Sequence, residues 1–424
     1  MSTSIIFKYV LIVFLGLTLS ALGLLHAQPE TASAPMLALS PDSGFPVWLT
    51  PNVENYLPLV AEGTSGLDWV ASERSQQCGD TDWLMAVDDS ARGSIHQFGV
   101  SEADGMPELA FNDQELTLPP PSISGIPVEQ GHGYNWEAIA LHPWSDSVFL
   151  MQEGSRSEIA LYHGEITPSD RFLSAGSTGR AGQATVLPGH IANVRPMNLP
   201  GWNETFGPYF KDNQGIEGLA CARDRLFAGL ESPYGLGQRM FSATSTILAI
   251  WSINPDDPTD MDGCKLLAVH DTSTWASSLG YTVKTITGLD AIDNNHLVGV
   301  DRDSMRLFSV EFDDAGHLIG GRAFFLDAPG PAPLPSDGCP PLTGLPRLIM
   351  PALESVAVVP GRLDDATGEP AEYRVYLAVD PWAPGWAVAG SEWDCPGYEA
   401  RLRALLPALY RYTVSADVLL PPSG

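Results

Sequence analysis

The chain has 424 residues, a formal net charge of −29 and only 17% charged residues, whereas glycine (41) and proline (36) are abundant. A surface this acidic repels phosphate backbones, which excludes nucleic acid as a partner. Many turn-forming residues and few charges are typical of short strands joined by tight turns, and the length suffices for one large core or two ordinary ones.

The N-terminus has the pattern of a signal peptide over residues 1–27. A lysine precedes an apolar run from Tyr9 to Leu25, and Ala27 stands before the expected cleavage point. An uncleaved anchor is the alternative, because Leu25 lies where a small residue is usual. We therefore expect a protein exported to the periplasm or the medium, with no stable membrane insertion after cleavage.

The mature chain is expected to begin with a mobile leader. Residues 28–44 are rich in proline and serine, a composition that cannot bury an apolar core. The folded domain is therefore predicted to span 45–424.

A two-strand pattern recurs five times along this domain. A short apolar strand with an acid near its start is followed by a turn and by a second apolar strand that ends in an acid. In the clearest copy, Glu217 opens the first strand and Glu231 closes the second. The opening acids lie 64 to 80 residues apart and are Asp68, Glu137, Glu217, Asp290 and Glu354. The closing acids are Asp88, Glu153, Glu231, Asp301 and Asp380.

This repeat predicts an all-β fold, a single β-propeller. Periods of this length that hold several short strands are typical of propeller blades. We predict five four-stranded blades, with six as the alternative if the Ala175–Pro208 insert hides a degenerate copy. The last blade is one strand short, so a strand from Phe45–Ala61 is expected to complete it and close the ring, which hides two sheet edges.

The acids are expected to converge at one mouth of the central channel. Antiparallel pairing places the start of the first strand beside the end of the second. Many carboxylates together need a cation or protons, and an oxygen-rich site suits calcium. The candidate calcium ligands are Asp68, Glu137, Glu217, Asp290 and Glu354. The alternative is that each acid only caps its own blade by accepting backbone N–H groups.

Two arginines and one loop are further candidates. Arg156 and Arg302 follow strand-closing acids and could grip an anionic substrate, with a local salt bridge as the alternative use. Asp257–Gly263 faintly resembles a calcium loop, but it lacks key ligands, which favours a turn between the outer strands of the third blade.

The five cysteines fit an oxidising compartment. We predict a disulfide between Cys339 and Cys395, which lie on either side of a Pro-rich region of the last blade. Cys221, on an inner strand, is interpreted as a buried small apolar residue.

Several enzyme signatures are absent from the sequence. There is no Gly-x-Ser-x-Gly, His-Glu-x-x-His, Walker or Gly-x-Gly-x-x-Gly motif, which disfavours serine hydrolases of the elbow type, zincins and nucleotide-binding enzymes.

The repeated sequence motifs resemble those of exported phytase-like propellers, a family described by an esterase-like activity of phytase. The resemblance covers Gly66 to Val414 and depends on Asn135–Ala140, Gly215–Ala220 and Leu353–Ala357, each with its following strand. The chain is also similar to gluconolactonase-like calcium propellers, in which an acid before an inner strand helps to hold the metal. The resemblance implies the fold and an ester-cleaving activity, but it assigns no catalytic residue.

Together these features predict an exported hydrolase of phosphoesters or other small esters, assisted by calcium and acting at the acid-lined mouth. Glu217, Glu231 and Glu137 are the catalytic candidates, because a carboxylate beside a bound water can take its proton. The expected substrate is a small anionic or ester compound, and the expected state is a monomer. The alternative is a non-catalytic propeller that binds a ligand or a protein partner.

Overall fold

The computed structural model describes twelve stretches of the chain, and the structural statements below concern these residues. They are 36–49, 64–69, 81–88, 95–103, 106–111, 136–152, 160–168, 189–209, 215–231, 244–327, 352–380 and 408–421. The predicted signal peptide, Glu153, Arg156, Cys339 and Cys395 lie outside them.

The strands form five sheets arranged as a ring, so the prediction of a five-bladed β-propeller is confirmed. Two short strands, β1 (Leu37–Leu39) and β2 (Val47–Trp48), precede the blades. Blade 1 contains β3 (Thr64–Trp69), β4 (Asp82–Asp88), β5 (Ile95–Ala103) and β6 (Met106–Phe111). Blade 2 contains β7 (Trp136–Leu141), β8 (Ser147–Gln152), β9 (Ala160–Pro168) and β10 (Gly189–Met197).

The remaining blades repeat this order along the chain. Blade 3 contains β11 (Ile216–Cys221), β12 (Arg225–Leu230), β13 (Ile247–Ser252) and β14 (Lys265–Asp271). Blade 4 contains β15 (Gly288–Ala291), β16 (His296–Asp301), β17 (Arg306–Phe312) and β18 (Leu318–Leu326). Blade 5 contains β19 (Ala352–Pro360), β20 (Glu372–Asp380) and β21 (Ala408–Ser415). The first strands of neighbouring blades contact one another around the ring, which places them at its centre.

Burial follows the distance from the centre. Every residue of β8 and β12 is buried, because both faces of these strands pack against other blades. In the outermost strand β14, every residue is exposed or half-buried. The sequence difference between apolar inner strands and polar outer strands therefore sets the order within each blade.

Two glycines allow the inner strands to approach closely. A Cβ atom on Gly66 would lie 2.8 Å from the Cα atom of Ala138 in the next blade, and one on Gly288 would lie 2.8 Å from the Cα atom of Ser355. Any side chain at these positions would push neighbouring first strands apart.

The N-terminal segment lies along three blades. β1 pairs in parallel with β18, so residues 37–39 belong to the edge of blade 4. These three residues of the predicted leader are thus held by backbone pairing with blade 4. Asp42 accepts hydrogen bonds from Arg411 Nε at 2.6 Å and from the Thr413 N–H at 2.9 Å in blade 5.

The expected strand in Phe45–Ala61 is present as β2. It pairs antiparallel with β21 over Val47 and Trp48 and stands fourth in that sheet. Phe45 is buried in a core cluster with residues of blades 1 and 5. That this strand holds the ring closed stays a prediction.

Blades 1 and 5 are also joined by an ion pair. The carboxylate of Asp82 accepts two hydrogen bonds from Arg374, from Nε and from Nη2, each at 2.6 Å. The hydroxyl of Tyr376 donates to the same carboxylate at 2.6 Å. Blades 1 and 5 are thus connected by side-chain contacts.

The insert that could have hidden a sixth blade supplies the fourth strand of blade 2. β10 comes from this insert, and a short helix at Trp202–Phe206 with a 3-10 turn at Gly207–Tyr209 follows. The other short helical elements lie at Thr272–Trp275, Ala276–Leu279 and Ala416–Leu419. Within the described stretches, no helix has the length and apolarity needed to cross a membrane.

Two smaller sequence predictions concern blade 3. Residues 257–263 form the turn between β13 and β14, where Asp257 and Asp260 accept backbone N–H groups two residues ahead. Cys221 is buried in the apolar core as a free thiol, as expected.

Candidate functional site

Three of the opening acids occupy the same irregular position in their blades. The pairing of first and second strands shifts by one residue at Glu137, at Glu217 and at Glu354. Such an extra residue is a β-bulge, which turns its side chain away from the regular alternation of the strand. The repeated motif therefore delivers one glutamate from each of blades 2, 3 and 5 to equivalent places at the centre of the ring.

The other two opening acids lie elsewhere. Ser65 and Thr287 occupy the equivalent places just before Gly66 and Gly288, and Asp68 and Asp290 come three residues later along their strands. The prediction that all five opening acids share one rim is therefore wrong. The glutamates and the aspartates stand at two levels of the inner strands.

Asp68 and Asp290 connect neighbouring blades. Asp68 Oδ2 accepts the N–H of Leu141, and Asp290 Oδ2 accepts the N–H of Val358. Burial raises the pKa of Asp68 to about 7, against the lowering effect of its backbone hydrogen bonds. Burial, and then the charge of Asp68, raise the pKa of Asp290 well above its usual value. These contacts match the alternative reading, in which an acid caps backbone N–H groups, although the capped strand belongs to the next blade.

At the level of the bulge glutamates, one arginine lies among three glutamates. Arg302 follows β16 of blade 4 and forms ion pairs through Nη2 with Glu231 Oε1 and through Nη1 with Glu354 Oε1. Its Nη1 also lies 4.0 Å from Glu217 Oε2. Only 19% of the Arg302 side chain and 2% of the Glu231 side chain are exposed. We call these four residues the mouth cluster.

Two of the carboxyl groups in the mouth cluster have raised pKa values. Burial raises the pKa of Glu217 well above its usual value, and the charges of Glu231 and Glu354 raise it further. Burial also raises the pKa of Glu354, against the lowering effect of Arg302 and of a hydrogen bond with Glu217. The two carboxyl groups therefore influence each other's ionisation.

The guanidinium of Arg302 stays protonated and positively charged. Burial alone would lower its pKa, but the carboxylates of Glu354, Glu231 and Glu217 together raise it well above its usual value. Glu137 belongs to the same electrostatic environment, since its charge also raises the pKa of Glu217. Of the catalytic candidates Glu217, Glu231 and Glu137, the first two are thus in contact with one guanidinium.

The closing acids have different roles. Asp301 caps its own blade, because it accepts the Lys284 N–H at 3.1 Å and the Thr285 hydroxyl at 3.0 Å. Glu231 instead pairs with Arg302 of the next blade. The side chains of Asp88 and Asp380 and the whole of Glu153 lie outside the described parts of the structure.

The described carboxylate oxygens of the mouth cluster do not form a site that fits a calcium ion. Their oxygen chemistry is suitable, and two buried oxygens, Glu217 Oε2 and Glu231 Oε2, have no hydrogen-bond partner among the described residues. However, the guanidinium of Arg302 already binds one oxygen each of Glu231 and Glu354. The described residues also contain no group of three or more His, Cys, Asp or Glu arranged for a metal ion.

Comparison with protein-family models gives one match. The model of a family described as phytase-like, with esterase-like activity of phytase, matches residues 62–328. A search of curated proteins found no match.

Three solved structures share low similarity with the chain. A Lactobacillus plantarum protein is 10% identical over 76% of this chain and 68% of its own, with a TM-score of 0.28. The PQQ-bound aldose sugar dehydrogenase of Streptomyces coelicolor is 12% identical over 88% and 99%, with a TM-score of 0.34. A thermostable family-43 glycoside hydrolase is 7% identical over 82% and 90%, with a TM-score of 0.35. These values are too low to transfer an activity.

Proposed function

The chain belongs to the phytase-like family, and from this membership and the charges of the mouth cluster we propose that it is an exported hydrolase of small esters. The observation that carries the proposal is the buried Glu217, whose pKa is raised by burial and by the charges of Glu231 and Glu354 and which lies next to the Arg302 ion pairs. Carboxyl groups whose surroundings separate their pKa values are suited to acid and base roles in one reaction.

Each residue has a proposed role. Glu217 donates its proton to the leaving oxygen of the ester, and Glu137 takes a proton from the attacking water. Glu231 and Glu354 position Arg302. The products are a carboxylic acid and an alcohol, and the two carboxyl groups return to their starting states by exchanging a proton with solvent.

The charge of the mouth favours neutral esters over phosphomonoesters. Three glutamates face the single positive charge of Arg302, so a doubly charged phosphate would meet net repulsion. The overall charge of −29 acts in the same direction. Members of the family often depend on calcium, and a bound calcium would reverse this preference by adding positive charge at the mouth.

The assay is hydrolysis of p-nitrophenyl carboxylic esters and of p-nitrophenyl phosphate by the purified protein, each with calcium and with chelator. We expect ester hydrolysis in chelator and a loss of ~10²-fold or more in kcat for Glu217→Gln. Activity should fall as pH rises through the pKa of Glu217, because the acid must be protonated, and Glu217→Gln should lack this limb.

Glu165→Gln is the matched control. Glu165 lies in blade 2 and bonds Asn193 on the surface, so this variant should keep full activity. A wild-type protein with no hydrolysis above buffer would contradict the proposal and favour a non-catalytic propeller that binds a ligand or partner. We further propose a monomer, exported to the periplasm or the medium, in line with the frequent export of the family.

A further inference from the structure

The mouth cluster joins three blades through one cation. Arg302 comes from blade 4, Glu217 and Glu231 come from blade 3, and Glu354 comes from blade 5. The guanidinium therefore reaches both neighbours of its own blade and neutralises part of the charge that the repeat brings to the centre.

Blade 4 differs from the three glutamate-bearing blades, 2, 3 and 5, at two positions. Its bulge position holds Thr287 instead of a glutamate, and the Thr287 hydroxyl donates to the carbonyl of Leu353 at 2.7 Å. Its strand-closing acid is followed by Arg302, whereas the other blades have Asp89, Gly154, Ser232 and Pro381 there. Blades 1 and 4 give no glutamate from this place, and blade 4 gives the arginine instead.

The cluster has the oxygens of a cation site, and one cation, the guanidinium, already lies among them. Glu231 Oε1 and Glu354 Oε1 bind the guanidinium, and Glu217 Oε2 lies 4.0 Å from it. Among the described residues, Glu217 Oε2 and Glu231 Oε2 are buried without a hydrogen-bond partner. Buried carboxylates of this kind require a nearby positive charge, and a guanidinium provides one that is always ionised.

We propose that Arg302 is the resident cation of the propeller mouth and occupies the place that a calcium ion would otherwise take among Glu217, Glu231 and Glu354. Part of the negative charge of the mouth is thereby neutralised without metal. Removal of the guanidinium leaves three converging carboxylates, which is a calcium site in its charge and oxygen chemistry. This proposal concerns charge and binding, and it holds whether or not the protein hydrolyses esters.

The test is thermal unfolding of wild type and Arg302→Met, each in chelator and in calcium at equal ionic strength. Wild type should melt at the same temperature in both. Arg302→Met should melt lower in chelator and gain ~2 °C or more with calcium, because a ligand that binds only the folded state stabilises it. Adding Glu217→Gln to Arg302→Met should abolish that gain.

Arg374→Met is the matched control, since Arg374 forms a partly buried ion pair between blades 1 and 5. It should lose stability and gain no calcium response. A folded Arg302→Met protein that ignores calcium would overturn the proposal.

Calorimetric titration of calcium into wild type and Glu217→Gln gives a second test that needs no change at Arg302. Equal heats in the two proteins support the proposal. Calcium binding to wild type that Glu217→Gln abolishes overturns it, whether or not Arg302→Met folds.

Discussion

A buried histidine in blade 2 should make the fold sensitive to acid. His163 is 2% exposed, its ring lies 5.6 Å from that of Phe149, and neither ring nitrogen has a hydrogen-bond partner among the described residues. Burial, and then the charge of Arg195, lower the pKa of His163 from 6.5 to about 4. The folded protein therefore holds this ring neutral at a pH where the unfolded chain protonates it.

The sign and size of the effect follow from the two pKa values. Stability is complete well above pH 6.5, falls as the unfolded chain takes up the proton, and stops falling below about pH 4. Each unit of pKa difference corresponds to ~1.4 kcal/mol, so between pH 7.5 and pH 5 the loss from this one group is roughly 2 kcal/mol.

The assay is urea unfolding of wild type and His163→Leu at pH 7.5 and pH 5. Leucine also costs packing energy, but that cost is the same at both pH values, so the comparison uses only the change with pH. His163→Leu should lose ~2 kcal/mol less than wild type over this interval. His317→Leu removes a histidine whose side chain is 75% exposed and serves as the control for the loss of an imidazole outside the core. Equal pH-dependent losses in wild type and His163→Leu would refute the reasoning.

Two further predictions concern contacts between blades and are checked by the same unfolding measurements. Asp82→Ala leaves Arg374 without its bidentate partner, so we expect a loss of ~2–4 kcal/mol, and a loss below ~1 kcal/mol would contradict a role in joining blades 1 and 5. Gly66→Ala forces a Cβ atom towards the backbone at Ala138 and should cost ~1–3 kcal/mol, whereas Gly207→Ala, with no atom within 4 Å of the added Cβ, should change stability little.

The fold was predictable because its period is long and regular. Five recurrences of an acid, an apolar strand, a turn and a second apolar strand are enough to predict five blades, and the apolar inner strands give their order. The same local pattern could not reveal the bulges at Glu137, Glu217 and Glu354. A bulge adds one residue to a strand without changing its composition, so the sequence pattern does not show where it lies. The pattern therefore aligned Asp68 with Glu137, although Asp68 lies three positions further along its strand.

The mouth cluster was predictable only in part. The repeat predicted that Glu217 and Glu231 lie close together, and both contact Arg302. The sequence offered a local salt bridge or an anionic substrate as the partner of Arg302. Its actual partners are 71 and 52 residues away along the chain, on the two flanking blades. Only the packing of blades around the ring brings these residues together. A local sequence pattern gives no information about that packing.

The N-terminal segment has a consequence for how the chain reaches its native state. Arg411 Nε and Asp42 Oδ2, joined at 2.6 Å, are separated by 369 residues along the chain, so this contact forms after nearly the whole polypeptide is available. Contacts at such long sequence separation slow folding, because the entropy of a very large loop is lost before they form. During synthesis, β1 has no pairing partner until residues 318–326 are made, and β2 has none until residues 408–415 are made. The blades that lie between these segments in the chain can assemble first, so the N-terminal strands are among the last elements to become ordered.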